Sequence, residues 1–201
     1  MGAIKESFKI ILSGDKEKSR LASRQIRKIL YSSKGDKYLY IDIRNIINGA
    51  FGEYYKIQET WRQENFVMAL SVIYFLRDRN NSPDFLFSWL LQLLQHNNGY
   101  IRHAAVKMIT EELGPLTVHI RFPDDKMFSK EIFNSEKADE ILFSLFMSLC
   151  NLSGSLYTPK YKKYKYVYSL PASPYKSVQM VLAEMEYICG AGYLDEFTKL
   201  I

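Results

Sequence analysis

Residues 83–113, PDFLFSWLLQLLQHNNGYIRHAAVKMITEEL, constrain the fold more than any other stretch of the chain. Phe85, Leu86, Trp89, Leu90, Leu93 and Leu94 recur at helical spacing and share one apolar face. The polar run His96-Asn97-Asn98-Gly99 then carries turn chemistry. A second helical pattern begins at Ile101-Arg102, with Ala104-Ala105 near its start. Small side chains there let two antiparallel helices approach closely, so the stretch predicts an αα-hairpin.

The same spacing rule predicts further helices upstream. One covers 3–12 (Ile4, Phe8, Ile11, Leu12) and is broken by Ser13-Gly14-Asp15. A second covers 16–31 (Ala22, Ile26, Ile29, Leu30), followed by the loop 32–36. A third covers 37–50, with Gly49 and Gly52 expected to end it. A fourth covers 60–77. Pro83 suits the first turn of a fifth helix, and Gly114-Pro115 is expected to stop the sixth. Residues 3–113 thus predict three consecutive hairpins.

Residues 114–134 contain Pro115 and Pro123 and predict an irregular connector, either a packed loop or a short strand. Ser135 is the expected N-cap of a helix that ends at Ser153-Gly154-Ser155. A helix over 174–189 should follow Ser173 and end at Gly190, with a short terminal helix over 193–201. The predicted fold class is all-α, a superhelix of three hairpins plus C-terminal capping helices, forming a single domain over 1–201.

An internal period supports this division. Residues 12–30 superpose on 94–112 without a gap, pairing Leu12 with Leu94, Asp15 with Asn97, Arg20 with Arg102, Ala22 with Ala104 and Ile26 with Met108. The offset of 82 residues is two steps of 41. The middle copy, 59–76, supplies Ala69 but no arginine in the matching position. On these residues, 3–113 resembles HEAT repeats of the armadillo-like class. That pattern sets Asp or Asn in the turn, then Val/Ile-Arg, then paired small residues. The resemblance implies an α-solenoid, and it implies that Arg20 bonds an acid of its turn. Proteins of this class serve as scaffolds and adaptors and occasionally as enzymes, so the expected function is a non-catalytic module binding another protein.

The chain has 201 residues, 47% of them apolar and 14% aromatic, which places it among globular chains. No apolar run reaches the length of a membrane span, and the start lacks the features of a secretory signal. A myristoylation pattern fails because Glu6 occupies the position that needs a hydroxyl, with Ser7 one place late. Cys150 and Cys189 both sit in apolar helical patterns and read as buried hydrophobes, so a reducing cytoplasm is the expected compartment.

The formal net charge of +5 is modest but locally concentrated. Lys160, Lys162, Lys163, Lys165 and Lys176 fall between 141 and 183, a window with no acid. Tyr157, Tyr161, Tyr164, Tyr166 and Tyr168 interleave with them. Lysine neutralises phosphate and tyrosine stacks on bases, so the segment suits nucleic acid or another polyanion. The competing reading is a surface loop whose tyrosines pack while its lysines stay solvated. Lys16, Arg20, Arg24 and Arg27 form a second basic stripe, on the outer face of the second helix. It is either a phosphate-binding face or an ordinary solvated one.

A third reading, a base-excision enzyme of HEAT-like type, requires Trp61 or Trp89 exposed beside Asp78 or Asp84. Core packing of both tryptophans is the simpler expectation. His96, His103 and His119 form no metal-like grouping, and the adjacent acids Asp124-Asp125 and Glu111-Glu112 do not face each other across a substrate. No catalytic residue, metal or cofactor is expected. Tyr54, Tyr55, Tyr74 and Phe75 remain unassigned between core and interface.

Overall fold

The computed structural model describes residues 2–32, 38–77, 84–123, 134–159 and 171–199. The chain is all-α, and the described residues contain no strand. It comprises two compact units, Met1–Asn81 and Ser82–Ile201.

The first unit holds α1 (Ala3–Ser13), α2 (Lys16–Ser32), α3 (Leu39–Lys56), α4 (Thr60–Ile73) and a 3₁₀ turn, Tyr74–Leu76. Helices α1 and α2 form one antiparallel pair, α3 and α4 a second; α4 also packs on α2 and α1, and α1 touches α3. Ile11, Ile26, Ile43, Phe66 and Leu70 fill the centre. The α2–α4 seam is closed by small polar residues. Ser19 Oγ donates to the Ile11 carbonyl (2.9 Å) and accepts from Asn65 Nδ2 (3.1 Å), while Ser23 Oγ donates to the Asn65 carbonyl (2.8 Å). Each buried hydroxyl therefore has a partner, as burial requires.

The second unit holds α5 (Phe87–Leu93), α6 (Gly99–Leu116), α7 (Val118–Arg121), α8 (Ser135–Leu156), α9 (Pro174–Cys189) and α10 (Ala191–Thr198). Helix α6 packs on α5, α8 and α9; α9 also contacts α7, α8 and α10. Asn98, Asn134 and Ser173 act as side-chain N-caps of α6, α8 and α9. Asn134 therefore replaces Ser135 as the expected cap. Gly190 ends α9 at φ 83°, a left-handed conformation that disfavours any side chain.

Three helices outrun their expected ends. Helix α3 continues through Gly49 and Gly52 to Lys56. Each glycine costs about 1 kcal/mol in a helix, but the added residues bury Tyr54, and one large apolar side chain contributes about 1.5–3 kcal/mol. Helix α6 continues through Gly114-Pro115 to Leu116, which is fully buried with Leu113. Pro115 removes one amide only, the one that would reach the Glu111 carbonyl, and side chains close the end of the helix. Thr117 Oγ1 donates to the Leu113 carbonyl (2.6 Å) and Arg121 Nη2 to that of Gly114 (2.6 Å). Residues 118–121, expected to be irregular, form a helical turn. Helix α8 passes Ser153-Gly154-Ser155 because Gln179 Nε2 of α9 donates to Ser153 Oγ (2.9 Å). Helix α5 begins at Phe87 rather than Phe85, whose ring is exposed.

The turn between α5 and α6 is closed by Arg102, which is buried. Its Nη1 donates to the carbonyls of His96 (2.7 Å) and Asn97 (2.8 Å), and its Nη2 to that of Pro171 (2.5 Å). His96 Nδ1 accepts the Asn98 amide (2.9 Å) in the same turn. We expect Arg102→Met to lower the unfolding free energy by about 3 kcal/mol, since charge-assisted bonds to buried carbonyls are among the stronger ones. Urea denaturation checks this, and a loss within about 0.5 kcal/mol, the size of an ordinary surface effect, contradicts it.

Burial, and secondarily the Arg102 charge, hold the His96 imidazole below its ordinary pKa; burial and Lys107 do the same for His103. The folded state thus binds fewer protons than the unfolded state below about pH 6.5. Stability should be full above that pH and fall as pH drops toward the lowered folded values. Imidazole NMR titrations of His96 and His103 should have midpoints below about 6.5; midpoints at or above it contradict this.

Candidate functional site

Helix α3 presents three different faces. Leu39, Ile43, Ile47, Ala50 and Tyr54 are buried in the core. Asp42, Ile46, Gly49 and Glu53, spaced by four, three and four residues, line a groove facing α1. The remaining arc exposes Tyr40 (63%), Ile41, Phe51 (48%) and Tyr55 (56%). Phe51 and Tyr55 meet edge-on with centroids 4.9 Å apart. A helix at the surface of a folded unit ordinarily turns its outer face polar; here Arg44 and Asn48 share that arc with the aromatics. The aromatics left unassigned by sequence are thereby sorted. Tyr54 and Tyr74 are core, whereas Tyr55 and Phe75 are exposed. Burial pushes the Tyr54 phenol up to about 12.

The groove has a volume of about 410 Å³. Lys5, Phe8, Lys9, Leu12 and Ser13 of α1 form its second wall, and Phe66 of α4 lies at its floor. A Cβ built on Gly49 would meet nothing within 4 Å, so this glycine keeps the groove wide. Among its polar groups, Lys5 and Lys9 are exposed, and Glu53 pairs with Lys56 (2.7 Å). Asp42 is only 8% exposed, and its Oδ2 has no hydrogen-bond partner among the described residues.

The basic residues expected on α2 do lie on its outer side. Lys16, Arg24 and Arg27 are exposed. Arg20 is taken up by Glu17, through Nε (2.9 Å) and Nη2 (2.5 Å). Its partner is thus an acid of its own helix and not the turn acid Asp15, which caps the Lys18 amide (2.9 Å). The Arg20 hydrogen bond holds the Glu17 carboxyl below the usual carboxylate range. Lys160, Tyr161, Lys162, Lys163, Tyr164, Lys165 and Tyr166 lie outside the described residues, as does Asp78.

Sequence reasoning missed a role for Arg62. It lies at the start of α4, five residues before Val67, which holds the repeat's arginine position. Its Nη1 donates to the carbonyls of Ile11, Leu12 and Gly14 (3.2, 2.7 and 3.0 Å), closing the end of α1. Its guanidinium also stacks on half-buried Trp61 at 4.5 Å. Trp89 is buried at 1% exposure. It therefore offers no face to a base without unpacking the second unit.

Also missed was a second groove of about 620 Å³, between α5 and α8. Ser88, Gln92, Gln95, Ser144, Ser148 and Asn151 line it, and Asp84 is its only charged lining group among the described residues. At the far side of the unit's core, Asp139 Oδ1 ties α7 to α10. It sits 2.7 Å from His119 Nε2 and accepts a short hydrogen bond from the Tyr193 hydroxyl. Cys150 and Cys189 are free thiols, and burial pushes the Cys189 thiol up to about 11, which leaves it poorly nucleophilic. The described residues contain no group of three His, Cys, Asp or Glu able to hold a metal, and no described helix is long and apolar enough to cross a membrane.

Compared with family models, curated proteins and solved structures, the chain matches none of them.

Proposed function

We propose that this chain is a non-catalytic interaction module of HEAT-like type that binds a partner protein through α3. The observation that carries the reading is the exposed aromatic arc of α3, Tyr40, Phe51 and Tyr55 with Ile41. Tyrosine and phenylalanine bury large areas at little entropic cost, and aromatic residues are enriched at the centres of protein interfaces. The helix pairing is compatible with hairpin repeats. In the first unit α2 lies beside α4 and α1 beside α3; in the second, α6 lies beside α9. The turn arginine Arg102 caps its own hairpin, as an arginine at that position of the repeat would. No arrangement of nucleophile, base and charge-stabilising group among the described residues argues for catalysis.

The triple variant Tyr40→Gln, Phe51→Gln, Tyr55→Gln tests this. These rings are exposed, so the thermal midpoint should move by only a few degrees. Partner recovery in quantitative pull-downs should fall at least tenfold, because interface anchors of this kind are each worth about 2 kcal/mol. Undiminished recovery by a folded triple variant overturns the reading.

A second reading, binding of nucleic acid or another polyanion, draws on Lys16, Arg24 and Arg27, which are exposed and make no ion pair among the described residues. Here Lys16→Gln, Arg24→Gln, Arg27→Gln should weaken labelled single-stranded DNA or RNA and flatten its salt dependence by about three units of slope at most. Unchanged affinity at low salt removes α2 from that role.

A further inference from the structure

We infer that the groove between α1 and α3 seats an amphipathic helical segment of a partner protein, anchored by a lysine or arginine that reaches Asp42. This inference rests on the interaction-module reading above and specifies the chemistry of the partner.

Three observations converge on it. The first is shape. The groove runs along α1 from Lys5 to Ser13 and along α3 from Asp42 to Glu53. At about 1.5 Å per residue that is roughly 12 Å on one wall and roughly 16 Å on the other, two to three turns of a docked helix. The second is lining. Phe8, Leu12, Ile46 and Phe66 supply apolar surface, and Gly49 removes the side chain that would otherwise fill the middle. Apolar residues one turn apart on a partner helix match such a surface.

The third observation is Asp42. A carboxylate that is nine-tenths buried and lacks a partner for one oxygen is costly unless something donates to it. Two cations, Lys5 and Lys9, line the same groove, yet neither forms an ion pair with it. Both remain exposed at the rim. The other acid of the wall, Glu53, is already engaged by Lys56. Among the described residues, Asp42 is therefore the groove acid left to recognise an incoming cation. Oδ2 itself is shielded, so an incoming cation reaches it by rotation about the carboxylate's last torsion, which is broad. Asp42 lies at the N-terminal end of α3's groove face, which places the basic residue at one end of the partner's apolar stripe. Asn45, exposed and lining the groove, connects this face with the arc carrying Ile41 and Tyr40.

The test uses the full chain and short fluorescein-labelled host helices of alanine and glutamine. Each carries two leucines one turn apart, with Arg, Gln or Glu one turn beyond the pair on either side. Anisotropy should rank Arg at least tenfold above Gln, with Glu weakest. Asp42→Asn should bring the Arg peptide down to the Gln peptide while retaining a cooperative thermal melt, since it removes an unpartnered buried charge. Gly49→Leu, whose side chain enters open space, should abolish binding of all three. Lys5→Gln with Lys9→Gln should leave the Arg preference intact or increase it. If Gln and Arg peptides bind alike, the basic anchor is wrong while the module reading stands. If the Arg preference survives Asp42→Asn, or Asp42→Asn unfolds the protein, Asp42 is not the receptor and the inference fails. If no peptide binds, the groove inference fails outright, and the α3 aromatic variant alone decides the module reading.

Discussion

Each short helix in this protein ends with backbone carbonyls that its own turns cannot satisfy, and arginine side chains close several of these ends. Arg62 gathers three carbonyls at the end of α1. Arg102 takes two in the turn that follows α5 and a third from Pro171. Arg121 takes the Gly114 carbonyl at the end of α6. A planar guanidinium with five donors suits this task, because one side chain can satisfy several diverging acceptors at once. A lysine has the charge but not the fork. The hairpins can therefore be tight, and tight hairpins bring the second helices of neighbouring pairs, α2 with α4 and α6 with α9, into close register. Buried Ser19 and Ser23 on α2 extend the same logic, since each small hydroxyl both permits close approach and is itself bonded.

Close packing on one side leaves space on the other. Grooves of about 410 and 620 Å³ open between α1 and α3 and between α5 and α8. Their chemistry differs sharply. The first has an apolar floor with a buried, unpartnered carboxylate oxygen at Asp42. The second is mixed, with Phe87, Leu91, Ile141, Leu145 and Leu152 interspersed among hydroxyls and amides. An apolar floor rewards exclusion of water by a partner's side chains, whereas the hydroxyls and amides of a mixed lining are already well served by solvent. This difference is why the first groove, together with the aromatic arc of the same helix, carries the functional argument.

Much of the helical layout is legible in the residues. The 83–113 hairpin is readable because its apolar spacing is strict, its turn is wholly polar and Asn98 caps the second helix. Ser173-Pro174 and Gly190 mark both ends of α9 for equally local reasons. The ends that depart from the local pattern, at Gly49, Gly52, Gly114-Pro115 and Gly154, share one cause. A breaker costs about 1–3 kcal/mol locally, and burial of Tyr54 or Leu116, or a bond such as Gln179 to Ser153, outweighs it. The candidate site is harder to see. The basic stripe of α2 is visible as a pattern, but its Arg20 is committed to Glu17. Asp42 gives no signal, because it belongs to no motif, and Gly49 reads only as a helix breaker.

Local chemistry in the sequence alone determined that this chain is helical and roughly where its turns fall, because periodicity and turn chemistry act over one or two turns. The same reading expected both tryptophans in the core, which holds for Trp89 and not for half-buried Trp61. Only the tertiary structure decided which aromatics face outward, since Tyr54 and Tyr55 are adjacent and chemically identical and differ only in what α4 and the core place against them. It alone decided that Arg62 serves the end of a helix some fifty residues earlier, and that Asp42 lines an apolar groove without a bonding partner for one oxygen. Those outcomes depend on which surfaces meet across the chain, and no short-range pattern encodes that.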